Sequence, residues 1–189
     1  MSRFVLVFAL LLPDFAAAAE TRALPVPPVM PDRLAPEPIT GSPAQAAGSV
    51  TGRPLPRFAS LRASEVNLRA GPGTRFPVEW TYTRAGLPVE ILREFDTWRR
   101  IRDMDGVEGW VQQARLAPRR TFLVRGGAQT LRRAPSDEAA PVAQLAPGVI
   151  GTIRRCEAAS AWCEVSVPGA RGFLRRAAMW GVYPGEEVR

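Results

Sequence analysis

The sequence contains no histidine and no lysine, so the commonest catalytic bases and amine nucleophiles are absent from it. Without histidine, neither a Ser–His nor a Cys–His nucleophile can be assembled. Without lysine, Schiff-base chemistry, a Ser–Lys dyad and a P-loop are excluded. A small glycan hydrolase with paired carboxylates, such as Glu79 or Glu90, stays open as a remote alternative, although domains this small rarely form the deep cleft that a sugar needs. We therefore predict a non-enzyme with no catalytic residues.

Cysteine is scarce as well, and its two copies stand close together at Cys156 and Cys163. An even pair in an exported chain is typical of a disulfide. A metal site on these two residues would lack further ligands, because the chain has no histidine and no third cysteine. We predict a Cys156–Cys163 disulfide, no metal site and no cofactor.

The beginning of the chain has the pattern of a secretory signal. Arg3 precedes an apolar run over residues 4–12, and Pro13 and the alanines of residues 16–19 follow. The run is about half as long as the ~20 residues of a membrane-spanning helix, which makes a short membrane anchor the weaker alternative. We predict a signal peptide over residues 1–19, export across the inner membrane to a periplasmic or extracellular location, and no transmembrane segment after cleavage.

The next segment is rich in proline. Residues 20–57 hold nine of the nineteen prolines, and small residues (alanine, glycine, serine and threonine) are frequent among the others. Such a composition cannot bury enough apolar surface to offset the entropy of ordering the chain. We predict that residues 20–57 form a disordered Pro/Ala-rich tether.

From Phe58 onward, short alternating runs broken by turn residues indicate an all-β structure. The pattern occurs twice at an offset of 63 or 64 residues, which indicates two copies of one unit. The paired motifs are residues 67–72 (NLRAGP) and 130–135 (TLRRAP), residues 98–101 (WRRI) and 162–165 (WCEV), and residues 109–111 (GWV) and 172–174 (GFL). We place the first domain at residues 58–118 and the second, divergent domain with its disulfide at residues 119–183. The short link between them predicts close packing.

These motifs resemble the bacterial SH3-like (Src-homology-3-type) domain, which has an opening N-x-R-x-G-P-G turn, a central W-x-x-V/I and a closing G-W-V. The first copy matches all three, whereas Thr130, Ala134 and Phe173 depart from the pattern in the second. The resemblance implies an all-β fold of two tandem small SH3-like β-barrels behind a signal peptide and a disordered segment. It also implies a module that recognises cell-wall peptide, peptidoglycan or an envelope protein.

Two sets of side chains are candidates for binding. Aromatic residues with nearby arginines can form a groove that holds apolar peptide groups and carboxylates. The candidate groove residues are Phe76, Trp80, Tyr82, Trp98, Arg69 and Arg75. Core packing is the competing interpretation for the aromatic residues, and ordinary surface solubility is the competing one for each arginine.

The last third of the chain is basic, since residues 119–189 hold eleven arginines and six acidic residues. Its candidate basic patch consists of Arg132, Arg154 and Arg175, although a charge run is commonly just a solvated face. Such a patch favours anionic partners. Because nucleic acid is a poor candidate outside the cytoplasm, we predict no nucleic-acid partner. The leading hypothesis is therefore an exported module that binds anionic cell-wall peptide or an envelope protein. The alternative is a structural or assembly adaptor that binds only a partner protein.

Overall fold

The computed structural model describes residues 46–189, and this part of the chain folds almost entirely into β-strands. It contains no α-helix, and its helical segments are single 3-10 turns at Gln113–Arg115 and Arg176–Ala178. Within these residues, no helix is long and apolar enough to span a membrane. The predicted signal peptide, residues 1–19, and residues 20–45 of the predicted tether lie outside the described residues.

The first barrel is a bent antiparallel sheet of seven strands, and a short hairpin precedes it. The hairpin consists of β1 (Ala46–Ala47) and β2 (Pro54–Leu55). The barrel strands are β3 (Arg57–Leu61), β4 (Val66–Arg69), β5 (Val78–Tyr82), β6 (Pro88–Phe95), β7 (Trp98–Arg102), β8 (Glu108–Gln112) and β9 (Leu116–Ala117). They are hydrogen-bonded in the order β5-β4-β8-β7-β6-β3-β9.

The second barrel repeats this topology strand for strand. It comprises β10 (Thr121–Val124), β11 (Gln129–Arg132), β12 (Pro141–Leu145), β13 (Ile150–Cys156), β14 (Trp162–Val167), β15 (Ala170–Arg175) and β16 (Met179–Trp180). Their order is β12-β11-β15-β14-β13-β10-β16, which is the order of the first barrel with each strand replaced by its counterpart. The predicted all-β fold of two tandem small barrels is confirmed.

The closing glycine of each repeat permits the close approach of two strands. A Cβ on Gly109 of β8 would lie 2.6 Å from Cγ of Leu68 and 3.0 Å from the carbonyl oxygen of Arg69. A Cβ on Gly172 of β15 would collide with the carbonyl oxygen of Arg132 in the same way. Both β4 and β11 carry a register shift at this crossing, where the sheet bends over itself. The glycine of the closing motif is thus required by the curvature of the sheet.

Each barrel encloses its own apolar core, built from alternate residues of its strands. The most deeply buried side chains of the first core are Leu61, Val66, Leu68, Val89, Ile101 and Val111. Those of the second are Phe122, Val124, Leu131, Val165, Leu174 and the two cysteines. Cores of this size leave each barrel only marginally stable, so additional cross-links contribute an important part of the free energy of unfolding.

The two barrels use different cross-links at the tip of the β6–β7 hairpin and its counterpart. In the first barrel Glu94 pairs with Arg99 across the hairpin, and their charged groups are 3.6 Å apart with both side chains buried. In the second barrel the residues at the same place in the register are Cys156 and Cys163, which form a disulfide with a Cα–Cα distance of 4.4 Å. The predicted disulfide is confirmed. It replaces a buried ion pair of the other copy.

The structure corrects the expectation that a disordered tether continues to residue 57. The β1–β2 hairpin folds back onto the first barrel, because its turn supplies hydrogen bonds to the buried carboxylate of Glu94. The backbone N–H groups of Val50 and Thr51 donate to this carboxylate at 3.0 and 2.8 Å. The Thr51 hydroxyl and the Arg57 guanidinium donate to it at 2.7 and 2.6 Å. Proline-rich composition did not reveal this attachment, since the partner is 43 residues away in the sequence.

These contacts keep Glu94 ionised although no part of its side chain reaches solvent. Burial by itself raises the pKa of a carboxyl group. The hydrogen bonds from Thr51, Arg57 and Val50 outweigh burial and lower the pKa of Glu94 from its ordinary 4.5 to about 2. The ionised carboxylate therefore holds together the hairpin, β3 and the β6–β7 tip.

The two barrels contact each other through strands β3 and β6 of the first barrel and the last residues of the second. The ring of Phe58 in β3 packs against Trp180 and Tyr183, at centroid distances of 5.2 and 4.7 Å. The Tyr183 hydroxyl donates a hydrogen bond of 2.5 Å to buried Glu90. Glu90 also accepts a hydrogen bond of 2.6 Å from Arg102. An aromatic cluster with a paired carboxylate thus joins the barrels, which accords with the short link.

Removing the disulfide should destabilise the protein modestly. A closed loop of this length restricts the unfolded chain by about 2–3 kcal/mol on chain-entropy reasoning. We expect the Cys156→Ala/Cys163→Ala variant to lose about this much free energy of unfolding in urea titrations. The unmodified protein in reducing agent should behave like the variant, and no difference between the reduced and oxidised protein would contradict the prediction.

Acid should remove the stabilisation that Glu94 provides. Because its pKa is lower in the folded state, its contribution is complete above pH 4.5 and is lost as the pH falls towards about 2. Glu94→Gln should cost roughly 3 kcal/mol at pH 7, since it leaves buried arginines without their carboxylate. The variant should lack the acid-dependent loss.

Urea unfolding at stepped pH measures both effects, and Glu79→Gln is the matched control. Glu79 is exposed on β5, and its side chain makes no hydrogen bond or ion pair within residues 46–189. The control should follow the unmodified protein at every pH. A parallel loss of stability in Glu94→Gln and the unmodified protein below pH 4.5 would show that another group titrates.

Candidate functional site

The most exposed large apolar side chain of the described residues is Trp80 on strand β5. This strand lies at the edge of the first barrel, with hydrogen bonds to β4 along one side. Residues 78–81 face solvent, and 58% of Trp80 is exposed. Exposed Val78, Met104 and Val107 add further apolar surface on this barrel. An edge strand with an exposed indole is a surface suited to recognition.

A cavity of about 370 Å³ lies beside the Trp80 ring. We call it the Trp80 cavity. Its walls are largely apolar, and Asp103, Asp105 and Arg84 supply its charged groups. The lining residues are Trp80, Thr81, Tyr82, Thr83, Arg84, Leu87, Pro88, Asp103, Met104, Asp105 and Val107, with Leu123 from the second barrel.

The floor of the Trp80 cavity is fixed by hydrogen bonds. The Tyr82 hydroxyl donates to Asp103 at 2.9 Å. Burial and the neighbouring Asp103 raise the pKa of Tyr82, so the phenol stays protonated. Asp103 also accepts the backbone N–H groups of Asp105 and Val107 at 3.0 and 2.9 Å, which holds the turn between β7 and β8. The cavity is therefore preformed. The ring of Trp80, which lines it, stays largely exposed to solvent.

A second cavity, of about 220 Å³, contains two other residues of the predicted groove. Arg69 and Trp98 line it together with Gln112 and Arg115. Trp98 is only 8% exposed, so its ring is mainly part of the barrel wall. Arg69 donates to the carbonyl oxygens of Thr74 and Phe76 at 3.2 and 2.7 Å, and its guanidinium thereby shapes the opening turn.

The predicted groove is therefore divided among different places on the first barrel. Trp80 and Tyr82 line one cavity, and Arg69 and Trp98 line another. Phe76 is half-buried in the opening turn, where Arg75 stacks on its ring at 5.1 Å, and neither residue lines either cavity. These residues are near one another in the sequence, but folding does not bring them together at one site.

The three arginines of the predicted basic patch are each held by local partners. Arg132 donates to the carbonyl oxygen of Ala139 at 2.8 Å. Arg175 pairs with Asp137 and stacks over the Trp162 ring at 4.7 Å. Arg154 donates to the Ser166 hydroxyl at 3.0 Å. Of the three, only Arg175 is paired with a carboxylate, so the contacts of Arg132 and Arg154 orient their side chains without neutralising their charge.

A third cavity, of about 700 Å³, was missed by sequence reasoning. It lies on the first barrel between the β1–β2 turn and the chain around β9. Four arginines line it, and no carboxylate does. They are Arg53, Arg57, Arg62 and Arg99. We call it the arginine cavity. Two of these arginines stood in the segment assigned to the tether, so nothing in the sequence pattern pointed to the site.

Sequence comparison agrees with this architecture. A family model for the bacterial SH3 domain matches the chain twice, at residues 62–118 and 126–181. The chain belongs to the bacterial SH3 domain family. The resemblance inferred from the opening, central and closing motifs is confirmed for both copies. Bacterial SH3 domains are binding modules for cell-wall or protein partners, and they typically act outside the cytoplasm.

Among solved structures, the chain is similar to two proteins of Trichomonas vaginalis. The match to NlpC2 has 13% identity and a TM-score of 0.30, and covers 66% of this chain and 48% of that one. The match to NlpC1 has 14% identity and a TM-score of 0.30, and covers 76% and 51%. The chain thus spans about half the length of these relatives. No curated protein matches it by sequence.

Two of the three tryptophans of the first SH3 domain, Trp80 and Trp98, should differ sharply in their contribution to stability. Trp98→Ala should cost roughly 3–5 kcal/mol because it opens a void in the barrel wall. Trp80→Ala should change the free energy of unfolding by less than about 0.5 kcal/mol, since the ring is mostly in water. Urea unfolding monitored by circular dichroism measures both. A large loss for Trp80→Ala would mean that this ring is structural.

Proposed function

We propose that this protein is an exported, non-catalytic binding module that recognises cell-wall peptide or peptidoglycan at the Trp80 cavity. The observation that carries this proposal is the exposed Trp80 ring at the rim of a preformed, largely apolar cavity. Leaving an indole in water gains nothing for folding. A rigid aromatic anchor beside a concave surface is the usual centre of a binding site.

The surroundings of Trp80 suit an extended peptide. The indole face can cover apolar peptide groups while its N–H donates a hydrogen bond. Strand β5 is an edge, so a bound peptide can continue the sheet through backbone hydrogen bonds. Asp105 and Arg84 at the cavity can meet groups of opposite charge, although Arg84 already donates to the carbonyl oxygen of Gly148 at 2.9 Å.

A binding role without catalysis is supported by the state of the carboxylates named as remote glycosidase candidates. Glu90 is 3% exposed and accepts hydrogen bonds from Tyr183 and Arg102. Glu79 is exposed on β5. Neither lines any of the three cavities described above. Among residues 46–189 there is also no cluster of three or more His, Cys, Asp or Glu side chains able to hold a metal.

Export is supported by the disulfide. Structural disulfides persist in oxidising compartments and are rare in the reducing cytoplasm. The Cys156–Cys163 bridge therefore agrees with the signal pattern of residues 1–19. Together they favour a periplasmic or extracellular location.

A structural or assembly adaptor is the second candidate, and the exposed apolar surface favours it. Val78, Met104 and Val107 are exposed on the same barrel as Trp80. Such residues can form the centre of an interface with an envelope protein. In that case free cell-wall fragments would have no effect on binding.

Co-sedimentation of the protein with purified sacculi tests the proposal. We expect binding at low salt, weaker binding at high salt, and a loss of roughly tenfold or more for Trp80→Ala, as for an aromatic hot spot. Phe95→Ala is the matched control, because Phe95 is also aromatic and 57% exposed but lines none of the three cavities. It should bind like the unmodified protein.

Other outcomes would change the assignment. Equal losses for Trp80→Ala and Phe95→Ala would indicate non-specific apolar adsorption. No binding to sacculi at either salt, together with Trp80-dependent crosslinking to an envelope protein, would favour the adaptor.

A further inference from the structure

The repeated topology allows one surface of the two barrels to be compared. This surface lies between the first strand, the tip of the central hairpin and the 3-10 turn of each barrel. Arg57 pairs with Ile91 in the first, and in the second the carbonyl oxygen of Arg120 accepts a hydrogen bond from Ile153 at the matching place. Glu94 corresponds to Cys156 by the register of the central hairpin. The 3-10 turns Gln113–Arg115 and Arg176–Ala178 correspond as well, so that Gln113 matches Arg176.

In the second barrel this surface is covered by the end of the chain, residues 181–189, which we call the tail. The guanidinium of Arg120 donates to both carboxylate oxygens of Glu186, at 2.5 and 3.0 Å. Arg176 donates to the carbonyl oxygens of Tyr183 and Glu186, at 2.9 and 2.8 Å. Val188 forms a two-way backbone bridge with Cys156. The tail is thus an acidic segment with a turn at residues 183–186, held by two arginines and a strand edge.

In the first barrel the same surface is only partly covered. The chain leaves it at Pro118 to enter the second barrel, so no tail crosses it. The β1–β2 turn covers part of it, because Val50 and Thr51 donate to the side-chain carboxylate of Glu94, which stands at the position of Cys156. The rest is the arginine cavity, whose lining includes Arg57 and Gln113, the counterparts of the two residues that hold the tail.

The charge of the arginine cavity is unbalanced. Arg57 and Arg99 share one buried carboxylate, that of Glu94. Arg62 is bonded only to the carbonyl oxygen of Leu116, at 3.4 and 3.2 Å. The guanidinium of Arg53 is exposed and makes no hydrogen bond or ion pair within the described part of the chain. Several guanidinium groups around one cavity attract carboxylates.

We propose that the arginine cavity binds an acidic segment of a partner protein, in the manner in which the second barrel holds its own tail. A carboxylate of the segment meets Arg53 and Arg57, as Glu186 meets Arg120. A backbone carbonyl of the segment accepts from the Gln113 side-chain amide, as the tail carbonyls accept from Arg176. This site is separate from the Trp80 cavity and does not depend on cell-wall binding.

A labelled peptide with the sequence of the tail, residues 181–189, serves as the probe for the full-length protein. We expect saturable binding by fluorescence anisotropy, and at least tenfold weaker binding when both glutamates of the peptide are replaced by glutamine. Arg53→Glu should weaken binding at least tenfold. Arg93→Glu, an equal charge reversal at an exposed position outside the cavity, is the control and should change binding less than twofold.

Amide chemical shifts on peptide addition locate the probe. The proposal expects changes at Thr51, Ala59 and Gln113 around the arginine cavity. Changes confined to Cys156 and Arg176 would show that the probe only exchanges with the tail, and would overturn it. Equal effects of Arg53→Glu and Arg93→Glu would overturn it too. Displacement of the probe by soluble muropeptides at lower concentration than by acidic peptide would assign the cavity to the cell wall instead.

Discussion

A carboxylate buried away from solvent needs hydrogen-bond donors or cations for both of its oxygens. In this protein Glu94 is such a carboxylate. Its two oxygens accept hydrogen bonds from Thr51, Val50 and Arg57, with Arg99 close by. Meeting this requirement draws the hairpin before the first barrel onto its surface and sets the position of β3 against the central hairpin. The arginine cavity lies between the β1–β2 turn and the chain around β9. An unpaired charge at Glu94 would release all of them together.

The two barrels stabilise the tip of the central hairpin with different chemistry. The second barrel replaces the ion pair with a disulfide and covers the adjoining surface with its own tail. The tail then contributes Tyr183 to the contact with Phe58 and Glu90, so closing one barrel also joins it to the other. The first barrel keeps the corresponding surface open. This division leaves the arginine cavity on the first copy, while the tail of the second copy helps to hold the two barrels together.

The tryptophans illustrate why a motif does not by itself define a site. Trp98 belongs to the central motif of the family, yet its ring is mostly buried in the barrel wall. Trp80 lies outside the three motifs and faces solvent. Alternation along a strand tells which residues share a face, but an edge strand has fewer neighbours to cover that face. Strand β5 is such an edge, which explains how Trp80 is exposed while Tyr82, two residues on, is buried.

Local patterns were sufficient for much of the fold. Spaced motifs, turn glycines and alternating strands predicted two small β-barrels, the paired cysteines predicted the disulfide, and the lack of histidine and lysine pointed to binding rather than catalysis. Only the tertiary structure decided that residues 46–57 join the first barrel, that the predicted groove divides between cavities, and that four arginines line the arginine cavity. The physical reason is that hydrogen bonds to a buried charge depend on side chains brought together by folding. Thr51 and Glu94 are 43 residues apart, and no periodicity in the chain links them.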